Sequence, residues 1–198
     1  MKKTTIFLAS SSELASDRDR FEIFIGRKNK ELVGRQVFLD LVRWEDFLDA
    51  MSKTRLQDEY NKAITNCDIF IMLFFTKVGQ YTQEEFEHAF KQFKETNKPF
   101  IFTYFKDAPV SMADIDDSVL SLIQFKKKLK ELGHFFTVYK NIDELILKFD
   151  GQINKLIENE FIKFDKEDTV VPNSITINQH SSGSGDNVAG DKTVNYKA

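Results

Sequence analysis

Seven consecutive residues, Ile69-Phe70-Ile71-Met72-Leu73-Phe74-Phe75, carry no polar side chain. The run is far short of the roughly 20 residues a membrane helix needs, and too uniformly apolar for a strand with one wet face. It fits the central strand of a sheet covered on both sides, which in practice means parallel strands between two layers of helix. Four weaker runs agree with it: Thr5 to Ala9, Val37 to Val42 between Gly34 and Trp44, Phe100 to Phe105 after Asn97-Lys98-Pro99, and Phe135 to Tyr139 after Gly133.

Between these runs, apolar residues recur at spacings of three and four, as on one face of a helix. The stripes are Phe21, Phe24, Ile25; then Phe47, Leu48, Met51 and, beyond a break near Ser52, Leu56, Tyr60, Ala63, Ile64; then Phe86, Ala89, Phe90, Phe93. Val119, Leu122, Ile123, Leu129 make a fourth, and Ile142, Leu145, Ile146, Phe149, Ile153, Leu156, Ile157 a fifth. The order is βαβαβαβαβα. With right-handed crossovers it predicts a doubly wound, flavodoxin-like α/β fold of five parallel strands in the order 2-1-3-4-5, with a ligand crevice at the carboxyl ends of strands one and three.

The periodicity stops near Phe164. Beyond it there is no Leu and no Phe, and three of the eight glycines fall between Gly183 and Gly190. Residues 1–164 are therefore expected to form the α/β domain and 165–198 a Gly/Ser/Asn/Asp-rich tail. That tail is either flexible or β-forming, since Ser174 to Asn178 and Thr193 to Tyr196 alternate and can pair with each other or add to a partner protein.

Composition narrows the function. Twenty-eight basic against thirty-one acidic residues, interleaved, give a net charge of -3, which offers no field for nucleic acid. The single cysteine, Cys67, excludes an internal disulfide and a paired-cysteine metal clip, so a reducing, cytoplasmic setting is expected, with neither membrane nor metal. No Walker sequence and no GxGxxG follows the first strand, which runs into Ser10-Ser11-Ser12. The carboxylates of a phosphoacceptor site are missing at the ends of strands one and three. The three histidines and the absence of a GxSxG elbow argue against a serine triad.

The informative segment is Phe75-Thr76-Lys77-Val78-Gly79-Gln80-Tyr81-Thr82-Gln83-Glu84-Glu85-Phe86. A glycine-containing loop leaves the central strand and enters a helix, which places Glu85 beside the crevice. Thr82-x-x-Glu85 also has the spacing of a capping box, a local arrangement that needs no catalysis.

The stretches IFLASSSELASDR and DIFIMLFFTKVGQYTQEEFEHAF resemble the opening strand and the third strand, loop and helix of a bacterial Toll/interleukin-1 receptor (TIR) domain, over roughly residues 3 to 160. Glu85-Phe86-Glu87-His88-Ala89 matches the element that carries the family's active-site glutamate; Glu84 is one residue out of register. The loop Arg43-Trp44-Glu45-Asp46-Phe47 lacks the proline-containing pattern of animal receptor domains. The resemblance implies cleavage of NAD+ at the nicotinamide-ribose bond, to ADP-ribose or a cyclic form, by Glu85. NAD+ is then substrate and no cofactor is needed. It also implies a homo-oligomer active in bacterial antiviral defence. Phe75, Tyr81 and Trp44 are candidates to stack on the rings; Ser10, Ser11, Ser12 and Thr76 to donate hydroxyls to ribose or phosphate; and Arg18 to offset pyrophosphate charge. Two other readings remain open: a non-catalytic TIR-like signalling module, and glycosyl transfer of the nucleoside deoxyribosyltransferase kind.

Overall fold

A computed structural model describes residues 1–47, 56–78, 80–110 and 118–163; at residues 44, 56, 57, 80–82 and 118 it describes the backbone only. The expected tail, and Leu48 and Met51 of the second stripe, lie outside the described residues.

The strands are β1 (Lys2–Ser10), β2 (Val37–Arg43), β3 (Ile69–Phe74), β4 (Phe100–Lys106) and β5 (Thr137–Tyr139). They alternate with helices α1 (Ala15–Leu32), α2 (Leu56–Asn66), α3 (Gln80–Thr96), α4 (Ser118–Glu131) and α5 (Ile142–Glu158). The sheet is wholly parallel, in the order β2-β1-β3-β4-β5. This is the doubly wound, flavodoxin-like architecture that the apolar periodicity predicts.

Every residue of β3 is buried. Side chains alternate across a strand, so Ile69, Ile71 and Leu73 join Ile6, Leu8, Phe21, Phe149 and Ile153 in the layer under α1 and α5. Phe70, Met72 and Phe74 face the other way, into a layer with Ile64 of α2, Phe86 and Ala89 of α3, and Phe125 and Leu129 of α4. That second layer is rich in aromatic rings: Phe74 stacks on Phe105 at 5.0 Å and meets Phe125 at the same distance. Each face of the sheet thus closes against its own set of helices.

Three expectations need correction. Phe135 is 94% exposed and outside the sheet, because β5 pairs with β4 only through Tyr104–Lys106 and Thr137–Tyr139, and nothing is laddered before Thr137. Ile123 is 58% exposed; α4 faces the core through Leu122 and Leu129 of the expected stripe together with Phe125, which the stripe omits. The helix after β3 starts at Gln80, two residues ahead of Thr82. Among the described residues no helix is long and apolar enough to cross a membrane.

Candidate functional site

Ser10, the last residue of β1, lies in register beside Leu73 of β3. The loops that leave these two strands therefore rise next to each other at the carboxyl edge of the sheet, where chain order reverses and doubly wound folds bind ligands. After β1 the chain makes one 3-10 turn, Ser12–Leu14, before α1. Leu14 anchors that turn in the core, and Glu13 is left on the outside.

The Arg18 side chain, 1% exposed, shapes the loop from beneath. Its guanidinium donates to Glu45 (2.8 Å from Nε), to the Ser10 hydroxyl (2.6 Å) and to the Ser11 carbonyl (2.8 Å). Arg18, the expected cation for pyrophosphate, thus braces the site in this structure: it ties the loop after β1 to the 3-10 turn Trp44–Asp46 after β2. Ser10 is half-buried and spends its oxygen on that guanidinium. Ser11 donates its hydroxyl to Glu13 (2.8 Å), and Ser12 is exposed.

On the neighbouring loop, Thr76 gives both its main-chain N–H (3.1 Å) and its hydroxyl (2.5 Å) to the Glu13 carboxylate. Phe75, half-buried, has the Lys106 ammonium 5.5 Å from its ring centroid, within cation–π range. Lys106 is held in turn by buried Asp17 at 3.0 Å, and Asp17 also accepts from the Tyr139 hydroxyl at 2.9 Å. Burial, then the Asp17 charge, push the Tyr139 phenol well above its ordinary range. This Asp17–Lys106–Tyr139 cluster links α1, β4 and β5 under the crevice.

Glu85 is the outlier. It sits in the second turn of α3, sixth in the helix, about 8 Å along the axis from its start. Phe86 and Ala89 on the same helix enter the core, and Glu85 goes down with them, 6% exposed. The capping-box reading does not hold: Thr82 is a third helical residue, not the residue before the helix. Among the described residues Glu85 has no hydrogen-bond donor and no counter-charge. Burial, reinforced by the nearby Glu84 charge, raises its pKa to about 8. Glu87, two residues on, shows the ordinary fate of a carboxylate on this helix: exposed, 2.7 Å from Lys128, with its pKa lowered chiefly by that bond.

Trp44 opens the turn after β2 and Tyr81 is the second residue of α3, so both lie on segments at the carboxyl edge; only their backbones are described. The two described histidines are engaged with threonines, His88 with Thr65 at 2.8 Å and His134 with Thr103 at 2.9 Å. Among the described residues no three His, Cys, Asp or Glu side chains group as metal ligands. Glu13, Asp17, Glu45, Lys106 and Tyr139 also gather at this carboxyl edge, and the sequence pattern does not single them out.

No family model matches this chain, and no curated protein does. Among solved structures it is similar to the CMP N-glycosidase BcmB of Clostridium botulinum, with 19% identity and a TM-score of 0.47 over 75% of this chain and 99% of that one. It is also similar to a chain of the RPS4 and RRS1 TIR domain heterodimer, with 13% identity and a TM-score of 0.44 over 81% of this chain and 99% of that one. Likenesses this weak assign no chemistry.

Proposed function

We propose that this chain cleaves the N-glycosidic bond between nicotinamide and ribose in NAD+, with Glu85 as the carboxylate that meets the charge developing on the sugar. One observation carries the reading. Glu85 is buried on the helix that leaves the central strand, with no partner among the described residues. Such a placement costs stability, and groups held this way cluster at functional sites.

In the reaction the C1′–N bond breaks and its electron pair goes to the pyridinium nitrogen, so nicotinamide leaves neutral and needs no general acid. Oxocarbenium charge appears at C1′, where an ionised Glu85 in a water-poor setting stabilises it. Water adds to C1′ and loses a proton to give ADP-ribose; an adenine nitrogen attacking in place of water gives a cyclic product. Phe75, Trp44 and Tyr81 are the ring-stacking candidates, and the loops carrying Ser11, Ser12 and Thr76 supply donors. Activation by self-assembly and a role in bacterial antiviral defence, which the TIR resemblance implies, belong to the same proposal, as does the tail as a contact for a partner protein.

The raised pKa of Glu85 also favours a second reading. A carboxyl still protonated at neutral pH can donate to a nucleobase, which departs poorly as an anion, so hydrolysis or transfer at a nucleoside bond fits the same residue. The pH profiles separate the two. If Glu85 must be ionised, kcat/KM climbs with pH, passes its midpoint near 8 and levels off above it; if it must be protonated, kcat/KM falls through the same midpoint. Turnover of NAD+ and of nucleosides should be followed side by side in concentrated protein. A rising NAD+ profile that Glu85→Gln abolishes supports the proposal. No turnover of either substrate leaves the non-catalytic module.

A further inference from the structure

One side chain spans the mouth of the crevice. Glu13 stands on the turn after β1, and its carboxylate reaches the loop after β3: Oε1 accepts from the Thr76 N–H (3.1 Å) and the Ser11 hydroxyl (2.8 Å), and Oε2 from the Thr76 hydroxyl (2.5 Å). Three features set this apart from an ordinary surface bridge. All three donors are neutral, and among the described residues no cation pairs with Glu13, so the contact is an oxyanion in a cradle of one amide and two hydroxyls. The donors come from the two loops that flank the point where chain order reverses, the place where a ligand enters a doubly wound sheet. Glu13 is also exposed, so its side chain can leave without uncovering apolar surface.

Backbone amides and hydroxyls converging on an oxyanion are the donor set that receives a phosphate oxygen. The nearby cations do not fill that role, since Arg18 is held by Glu45 and Lys106 by Asp17. We infer that Glu13 is a displaceable internal stand-in for a phosphate of the substrate: in the free protein its carboxylate fills the Thr76–Ser11 cradle, and a diphosphate-bearing ligand expels it on binding. The inference rests on the proposed NAD+ reading for the identity of that ligand, and on the donor geometry alone for the cradle.

A displaced carboxylate weakens the ligand that displaces it, so its removal tightens binding. Inorganic pyrophosphate, which undergoes no glycosidic cleavage, is the probe, titrated calorimetrically into the full chain. Glu13→Ala should bind it roughly three- to tenfold more tightly than the parent, the span expected when a solvent-exposed contact worth about one ordinary hydrogen bond no longer competes. Glu13→Gln, which keeps the reach but not the charge, should show part of that gain. Adding Thr76→Val, which retains the N–H and drops the hydroxyl, should cancel it. The KM for NAD+ should fall in Glu13→Ala by the same factor.

Equal or weaker pyrophosphate binding by both Glu13 variants, or a raised KM, overturns the inference and makes Glu13 a clasp that holds the loops in their binding geometry. The readouts also separate this inference from the activity it builds on. Tighter pyrophosphate binding in a chain that leaves NAD+ intact upholds the cradle and removes the nicotinamide reading. NAD+ cleavage with no gain in pyrophosphate binding removes the cradle alone.

Discussion

A largely buried carboxyl group with no partner among the described residues holds its proton above the ordinary range, and the consequences for Glu85 can be measured apart from activity. Below its ordinary value of 4.5 the group is protonated in folded and unfolded chains alike, and burial adds no ionisation penalty. As pH rises, the unfolded chain sheds the proton while the folded one keeps it to about 8, so stability falls across that interval and the loss is complete above it. Glu85→Gln cannot ionise and escapes this loss. It should melt close to the parent below the ordinary value of 4.5 and increasingly above the parent as pH rises from there to about 8, with no further gain beyond, while NAD+ turnover drops on the order of 100-fold or more. A variant that melts below the parent at every pH would assign Glu85 a structural role. Glu84 supplies the second part of the pKa rise, so Glu84→Gln should retain turnover and move the midpoint of the kcat/KM profile to lower pH; a stationary midpoint would put another group in control. Glu85 is legible in the sequence through the TIR-like segment around it. Its burial is not, because the local spacing equally suits a capping box. Asp17, Lys106 and Tyr139 are illegible for a different reason: Tyr139 lies 122 residues from the Asp17 it bonds, and only the topology brings them together.

Elements buried on both faces announce themselves; those at the margins do not. β3 reads directly from its apolar run because both faces are covered, whereas β5 ladders three residues and blurs into the exposed Phe135 before it. Helix starts follow local hydrogen bonding that competes with composition. At α5 the Asn141 side chain accepts from the Glu144 N–H at 3.0 Å, and Glu144 reaches back to the Lys140 N–H at 2.7 Å. A reciprocal cap of that kind is what Thr82 and Glu85 suggest by spacing, but α3 begins at Gln80, three residues before the Gln83 start that a Thr82 cap requires. The edge strand β2 is held by a device that periodicity cannot reveal. Asn29, near the end of α1, accepts from the Leu39 N–H at 2.7 Å and donates to the Leu39 carbonyl at 2.8 Å, occupying both main-chain groups of a buried residue. Asn29→Ala leaves both unsatisfied and should cost about 2 kcal/mol in a denaturant melt. Asn29→Asp keeps the acceptor but sets a carboxylate against the Leu39 carbonyl, and should be no better. A loss within error for Asn29→Ala would mean that water replaces the amide and that β2 depends on β1 alone.

At the scale of the whole molecule, the two apolar layers are built among the described residues from side chains no further along the chain than Ile162. The sequence beyond Phe164 holds no Leu and no Phe with which to extend either layer. Stability and any assembly role are therefore expected to separate at this boundary, which makes the tail removable. Deleting Asn173 to Ala198 should leave the thermal midpoint unchanged, because that segment carries no Leu or Phe with which to build a core, and protease should trim the same segment from the intact chain first. Activity answers a different question. If the proposed activity needs a multimer, turnover should rise more than linearly with concentration, and if the alternating stretches Ser174 to Asn178 and Thr193 to Tyr196 drive association, the truncated chain should lose that curvature and run smaller by light scattering. The two readouts are independent. An unchanged midpoint with a smaller oligomer and linear turnover places assembly in the tail. An unchanged midpoint with the same oligomer and the same curvature places it on the α/β domain. A lowered midpoint would show that the tail contributes to the core, against the boundary near Phe164.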